Sequence, residues 1–406
     1  MTLGAGLLLT VLVAFGRRES VLVNPYFLFL STPIALMLYA SSVSPFFLPQ
    51  LQPKAQLIIL AGIYAYFLGL LCIKSGGVER SRVPPRRHSF RIVVALGLIP
   101  HVLGIANAGI PLFAADVDAA REAYLLPIVG QFTLFLSLSV LIAFRERSRK
   151  LVLLSVVLNL AFSIAMVSKF NMVLAAIFVF SGYVLYDGKS LFKLRPAYFI
   201  LATAAITPVV FEFTTSVRSE LAQTEYFWRS QILFANKSLN EYGDYVYLPY
   251  LYLTTPWSNL AYLTENPPLF SNGARTFYSL ASIFQVEWML NFEGKPFRSM
   301  PFNTHAFLAD FYLDFGAFGA VLLAFLLGLF VKWSYVIALK RPNIFNQAIW
   351  ICVGFASFLL FFSNHFTSLT YPLLAFVLFN AYRLISRSVV LKSQYSNRKP
   401  ITPEGV

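Results

Sequence analysis

The sequence predicts an all-α polytopic membrane protein, with about eleven transmembrane helices and one large loop on the outer face. Composition is the first reason: 58% of the 406 residues are apolar and 12% are charged, where a soluble domain carries about 25% charge. A mean hydropathy of +0.67 leaves too little polar surface to cover a soluble core of this size. The second reason is spacing, since apolar runs near the length of a bilayer span recur along the chain. The third is charge, because the basic residues collect on alternate connections. The 41 Phe and 21 Tyr add amphipathic rings suited to bilayer interfaces.

A helix needs about 20 apolar residues to cross the hydrocarbon. Runs that qualify or nearly qualify lie at 2–16, 20–42, 55–73, 91–111, 123–144, 151–167, 170–187, 196–213, 306–331, 344–363 and 370–386. The first and sixth are short, so they would tilt or thin the membrane locally. The run from Leu3 to Phe15 has no basic stretch before it and is followed by Arg17 and Arg18. It reads as a helix that is retained, with its N-terminus outside, rather than as a cleaved leader. The chain then divides into helices one to eight (1–213), a large loop (214–305), helices nine to eleven (306–386) and a tail (387–406). Cys72 and Cys352 fall in apolar runs of different helices and read as small buried hydrophobes, with no disulfide and no thiolate nucleophile.

With the N-terminus outside, the inner connections hold Arg17–Arg18, Lys74 to Arg91, Arg145 to Lys150, Asp187 to Arg195, Lys332 to Arg341, and the C-terminal tail counted from Arg383. Those stretches carry 23 Lys/Arg against five acids, and the remainder carries 9 Lys/Arg against 13 acids, completing the totals of 32 and 18. Basic residues near helix ends resist translocation, so this asymmetry sets the orientation. The net charge of +14 is therefore a topology signal and an attraction to anionic lipid, not a nucleic-acid footprint.

The outer loop 214–305 is far longer than the other connections, and loops of that length are usually functional or disordered. Its aromatic content argues against disorder, and the run from Tyr245 to Trp257 reads as lying partly in the interface. No internal repeat and no inverted pair of broken helices marks a secondary transporter. No Gly-rich phosphate loop, nucleophile elbow or Walker-type motif is present, which disfavours ATP-driven transport. No His, Cys and carboxylate cluster has metal-ligand spacing, and no cofactor is expected.

The polar residues at the outer side carry the chemistry that remains. Lys169 sits in a tight turn between the sixth and seventh runs, against the positive-inside trend. It reads either as a cation snorkelling to head groups or as part of an anion site. Asp310 and Asp314 are four apart, so a helix stacks both carboxylates on one face about 6 Å apart along its axis. The helix dipole favours acids there, yet two acids in an apolar span also suggest a cavity or a basic partner. Gly316 and Gly319 read as points of close helix approach. His88 is in a basic inner loop and reads as solvated, while His101 reads as satisfying a core hydrogen bond. His305 and His365 fall on the outer side, where a near-neutral imidazole can take a proton from a hydroxyl or simply bond to backbone. Arg218, Arg229, Arg275 and Arg298 lie in the loop, and their guanidinium forks suit either a diphosphate or the loop's own seven acids.

Three stretches carry a family resemblance. The run Phe302-Asn303-Thr304-His305-Ala306-Phe307, followed by Phe311-Tyr312-Leu313-Asp314-Phe315-Gly316, resembles the segment leaving the large periplasmic loop of Wzy-type O-antigen polymerases. Val167-Ser168-Lys169 resembles the place where that family often carries a Ser-Arg pair. Val217-Arg218-Ser219, with the later Tyr252-Leu253-Thr254-Thr255-Pro256, resembles the start of the loop. The helix count and single late loop are similar over nearly the whole chain, which also resembles the architecture of GT-C-like membrane glycosyltransferases.

The resemblance implies metal-independent glycosyl transfer at the periplasmic face of a bacterial inner membrane, with the C-terminus cytoplasmic. The donor would be a glycan on undecaprenyl diphosphate and the acceptor a sugar hydroxyl of an incoming lipid-linked repeat unit, with a chain-length regulator as a further partner. It implies Lys169, Arg218, Arg275 and Arg298 at the diphosphate and Tyr252, Trp257 and Asp314 at the sugars. His305 is the first candidate base, His365 the second, and Asp310 an orienting or alternative base. An O-antigen ligase shares this chemistry and differs in acceptor. A lipid-linked oligosaccharide flippase is the alternative from another class; it would distribute charge through the spans rather than in one loop.

Overall fold

A computed structural model describes residues 24–41, 51–74, 90–124, 129–186, 244–267, 270–283 and 304–368. The first, eighth and eleventh runs, the 75–89 connection and the tail lie outside the described residues. Every described element is helical, with no strand among the described residues. The helices are α1 (Pro25–Phe29), α2 (Ser31–Ser41), α3 (Pro53–Cys72), α4 (Phe90–Ala108), α5 (Val117–Tyr124), α6 (Leu134–Arg145), α7 (Arg149–Ala165), α8 (Lys169–Leu185), α9 (Asp244–Glu265), α10 (Ala274–Ile283), α11 (Leu308–Lys340), α12 (Ile344–Phe358) and α13 (His365–Ser368).

Three of these stretches, Pro53–Cys72, Phe90–Phe113 and Leu308–Lys340, are long and apolar enough to cross a membrane. Of the remaining described runs, the second is broken and the fifth and tenth are shorter than expected. The second breaks at Leu30 into α1 and α2. The described part of the fifth opens as a 3-10 helix at Val129–Thr133 and becomes α-helical at Leu134, while Val117–Tyr124 forms a separate polar helix with an Asp118–Arg121 ion pair at 3.2 Å. The seventeen-residue α7 and α8 reach about 25 Å each at 1.5 Å per residue.

Two serine turns join α6, α7 and α8. Arg147 and Val167 adopt left-handed backbone (φ 54° and 49°), and Ser148 and Ser168 then cap the following helices by accepting from Leu151 N and Asn171 N. A β-branched valine in that conformation is strained, and it stands two residues before Lys169. Asn159 ties α7 to α6: its amide donates to the Leu136 carbonyl at 3.0 Å and its carbonyl accepts from Ser137 Oγ at 2.8 Å. His101 satisfies a core hydrogen bond with the Tyr124 hydroxyl at 3.0 Å and stacks on Phe162.

The largest core joins α1, α2, α3, α9, α11 and α12. Lipid tails give helices no hydrophobic reason to associate, so close backbone approach matters more than side-chain bulk. The closest approach is between α3 and α11, where a Cβ on Gly69 would lie 2.2 Å from the Phe325 carbonyl oxygen and one on Gly328 2.1 Å from that of Tyr66. Gly316 has a different role from the helix approach expected of it. Its φ of 68° and ψ of −165° bend α11 between Phe315 and Ala317, in a region open essentially to glycine alone. Gly319 leaves room for Phe315 across that bend.

Three further expectations change. α11 continues to Lys340, so Lys332 lies inside the helix rather than in an inner loop; it is fully buried over the rings of Tyr26 and Tyr335. The stretch expected at the interface is α9, whose Thr254, Thr255, Ser258 and Asn259 are fully buried. Its threonine hydroxyls bond back to the Tyr250 and Leu251 carbonyls, which removes the cost of burying them. Lys54, at the start of α3, donates to the Thr264 carbonyl at 3.0 Å and closes the last turn of α9. Cys72 is exposed where a buried thiol was expected, while Cys352 is buried.

Candidate functional site

The site is built around a short non-helical strap, residues 304–307, that enters the core. Backbone polar groups there need partners, because irregular chain is tolerated inside a bundle only when it is satisfied. Three bonds supply them. Asn259 Nδ2 donates to the Thr304 carbonyl at 2.8 Å, Ala306 N donates to Pro256 O at 3.3 Å, and Phe307 N donates to Leu360 O at 3.0 Å. The strap is therefore held between α9 and the turn that follows α12. His305 on it is 4% exposed.

The first half of α11 follows at once and carries Asp310, 8% exposed, and Asp314, 1% exposed. Both lie in the helical turns before the Gly316 bend, so they share a face as the spacing predicts. Asp314 caps another helix. α10 begins after Gly273, whose carbonyl takes the first helical bond from Phe277 N and which has no side chain to cap the turn. Asp314 supplies the missing acceptor from α11: Oδ1 accepts from Arg275 N at 3.0 Å and from Ser271 Oγ at 2.6 Å, and Oδ2 accepts from Thr276 N at 2.7 Å. The carboxylate proposed for sugar contact is thus engaged in holding α10. Asp314→Ala should cost about 1–3 kcal/mol by leaving buried donors unmet, and Asp314→Asn, which keeps one acceptor, should cost less. Thermal unfolding in detergent checks both.

His365 arrives from the other side. Its ring lies 5.4 Å from that of Phe170, 6.0 Å from Phe362 and 6.5 Å from Phe355. Burial pushes its pKa down to about 4, with the Asp310 carboxylate pulling the opposite way. Nε2 has no hydrogen-bond partner among the described residues. The sign for stability follows. The unfolded chain, with an ordinary value near 6.5, binds more protons than the folded one between about pH 6.5 and pH 4. This histidine's contribution is present above pH 6.5 and is lost as pH falls toward 4. The apparent unfolding temperature should therefore drop across that window, and His365→Phe should flatten the drop.

Residues from four distant stretches meet here. α10, with Arg275 6% exposed in its first turn, packs on both α11 and α13. α8 opens with Lys169, immediately before the Phe170 ring that faces His365. Tyr252 on α9 is half-buried, 5.5 Å from the Phe362 ring. Trp257 is placed differently from the sugar contact expected of it: it has no exposed surface and packs in the core. Arg218, Arg229 and Arg298 lie outside the described residues. Sequence reasoning missed the strap's anchors, Asn259 and the Leu360 carbonyl, because neither residue type signals a role until the chain is folded. Compared with family models, with curated proteins and with solved structures, the chain matches none.

Proposed function

We propose that the chain is a Wzy-type polymerase that joins undecaprenyl-diphosphate-linked repeat units at the outer face of a bacterial inner membrane. The observation that supports the reading most is the packing of α10, which carries the buried Arg275, on α11 with its buried Asp310 and on α13, which opens with His365. In the reaction an acceptor sugar hydroxyl attacks the anomeric carbon of the donor glycan. The new carbon–oxygen bond forms as the bond from that carbon to the lipid diphosphate breaks, and the diphosphate leaves as an anion. Two needs arise: a group to take the hydroxyl proton and cations for the leaving charge.

His365 takes the proton in this reading, through the open Nε2, and Asp310 stabilises the imidazolium that forms. This reading prefers His365 to His305, the choice the sequence favoured, because the Asp310 charge acts on its ring. Arg275 and Lys169 take the diphosphate, with Arg218 and Arg298 as further cations of the same loop.

Purified protein incubated with lipid-diphosphate-linked repeat units should give a ladder of products spaced by one repeat. Absence of a ladder, with movement of lipid-linked sugar across liposomes, would replace this reading with a flippase.

A further inference from the structure

Two neighbouring helices present the same kind of surface, aliphatic along the span and cationic at one end. α4 and α7 both pack on α6, which is buried from Leu134 to Phe144 behind them. They lie side by side: Phe90 and Leu151, in their first turns, pack on one apolar cluster, and His101 stacks on Phe162 further along. Outward they expose Ile92, Ile99 and Val102 from α4, and Leu153, Val157 and Leu160 from α7.

The cationic end gathers Arg91 of α4 with Arg147, Arg149 and Lys150 of the turn into α7, all four exposed. One acid, Glu146, stands in the same turn. None of the four basic side chains has an ion-pair or hydrogen-bond partner among the described residues. Arg145 is half-buried and its charge acts on Tyr186, so it is not one of the set. The turn is ordered. Glu146 N donates to Ile142 O at 2.9 Å, Arg147 N to Phe144 O at 3.0 Å and Ser148 N to Ala143 O at 3.3 Å. Arg147 stands there in left-handed backbone, at a helix end where glycine is the usual residue. The positive-inside tendency asks for cations near helix ends. It does not ask that they sit unpaired on a fixed turn, or that two adjacent helices bring them together. Like charges gathered in this way repel one another unless an anion lies among them.

We propose that this corner binds the phosphate head group of an anionic phospholipid, whose acyl chains lie along the aliphatic faces of α4 and α7. Guanidinium forks grip phosphate oxygens in pairs. Apolar faces that run away from those forks match an amphiphile with a charged head and two long chains. The seventeen residues of α7 put the corner about 25 Å along that helix from the turn that holds Lys169. The corner is therefore separate from the strap, and the proposal is independent of the polymerase reading. The charge asymmetry of the chain assigns this end to the inner leaflet.

The test is binding of phosphatidylglycerol to the full chain in detergent, read by native mass spectrometry beside phosphatidylcholine and inorganic phosphate. Wild type should prefer phosphatidylglycerol to phosphatidylcholine, and inorganic phosphate should displace little of it, because it brings no acyl chains. The variant Arg147→Gln with Arg149→Gln and Lys150→Gln removes three exposed cations without touching the core. Its affinity for phosphatidylglycerol should fall about tenfold or more, with phosphatidylcholine binding unchanged. Arg91→Gln, on the neighbouring helix, should weaken the same binding. Lys340→Gln with Arg341→Gln, at the inner end of α11, should leave it unchanged. Unfolding temperatures measured without added lipid show that each variant is folded. No preference for phosphatidylglycerol in wild type overturns the proposal. So does an equal loss in the variant at Lys340 and Arg341, which would make the attraction a diffuse field of the whole basic face. Displacement of phosphatidylglycerol by inorganic phosphate at matched concentration would overturn it too, leaving a site for free phosphate.

Discussion

Gly328→Ala should yield little folded protein, with stability lowered by about 3 kcal/mol. The added Cβ would lie 2.1 Å from the Tyr66 carbonyl oxygen, which is helix backbone and cannot rotate aside as a side chain can. α3 and α11 must then separate, and the dispersion contacts along the whole seam weaken together. The seam is central: Tyr66 bonds to Ser357 Oγ at 3.2 Å and stacks on Phe29, so displacement of α3 also disturbs α1 and α12. Gly69→Ala opposes the Phe325 carbonyl at 2.2 Å and should act alike. Because both substitutions open one interface, the double variant should cost clearly less than the sum of the singles. Size-exclusion profiles and unfolding temperatures of the three variants measure this. Wild-type behaviour of either single variant would show that the two helices are not held this way.

The helical class was legible because it rests on composition and on runs of apolar residues, which need no long-range information. Helix length was less legible. The run 123–144 carries no charged residue, and its Pro127 and Gly130 were read through as one span, whereas Val117–Tyr124 is a separate helix and α6 starts at Leu134. Glycines show the same limit. Gly316 read as a point of close helix approach, but its positive φ depends on the bend and not on the residues beside it. Gly69 and Gly328 lie in ordinary apolar helix and become visible once the helices are paired. At the site, residue types were readable one by one: a histidine or a carboxylate in an apolar chain is costly enough to need a reason. Their assembly was not readable, because Asp310, Arg275 and His365 meet through α10 and the strap. The capping role of Asp314 was not readable for the same reason, since the helix it caps belongs to the loop and not to its own span.

On the proposed polymerase reading, His365→Ala should lower polymer formation by about 10²–10⁴-fold, the usual contribution of a positioned general base. His305→Ala should cost less in this reading, because it leaves His365 Nε2 and the Asp310 charge that acts on its ring in place. The pH dependence separates a proton acceptor from a packing residue. An imidazole held near 4 by burial is neutral and competent through the physiological range, so the rate should be flat there and fall only in acid as His365 becomes protonated. Asp310 raises that value, so Asp310→Asn should move the acid limb to lower pH while reducing the rate, because the imidazolium loses its counter-charge. A merely structural Asp310 would lower the amount of active protein without moving the limb. The measurement is ladder formation by wild type and Asp310→Asn across acid to neutral pH, normalised to folded protein. An acid limb that stays in place, or a His365→Ala enzyme as active as wild type, would return the base to His305.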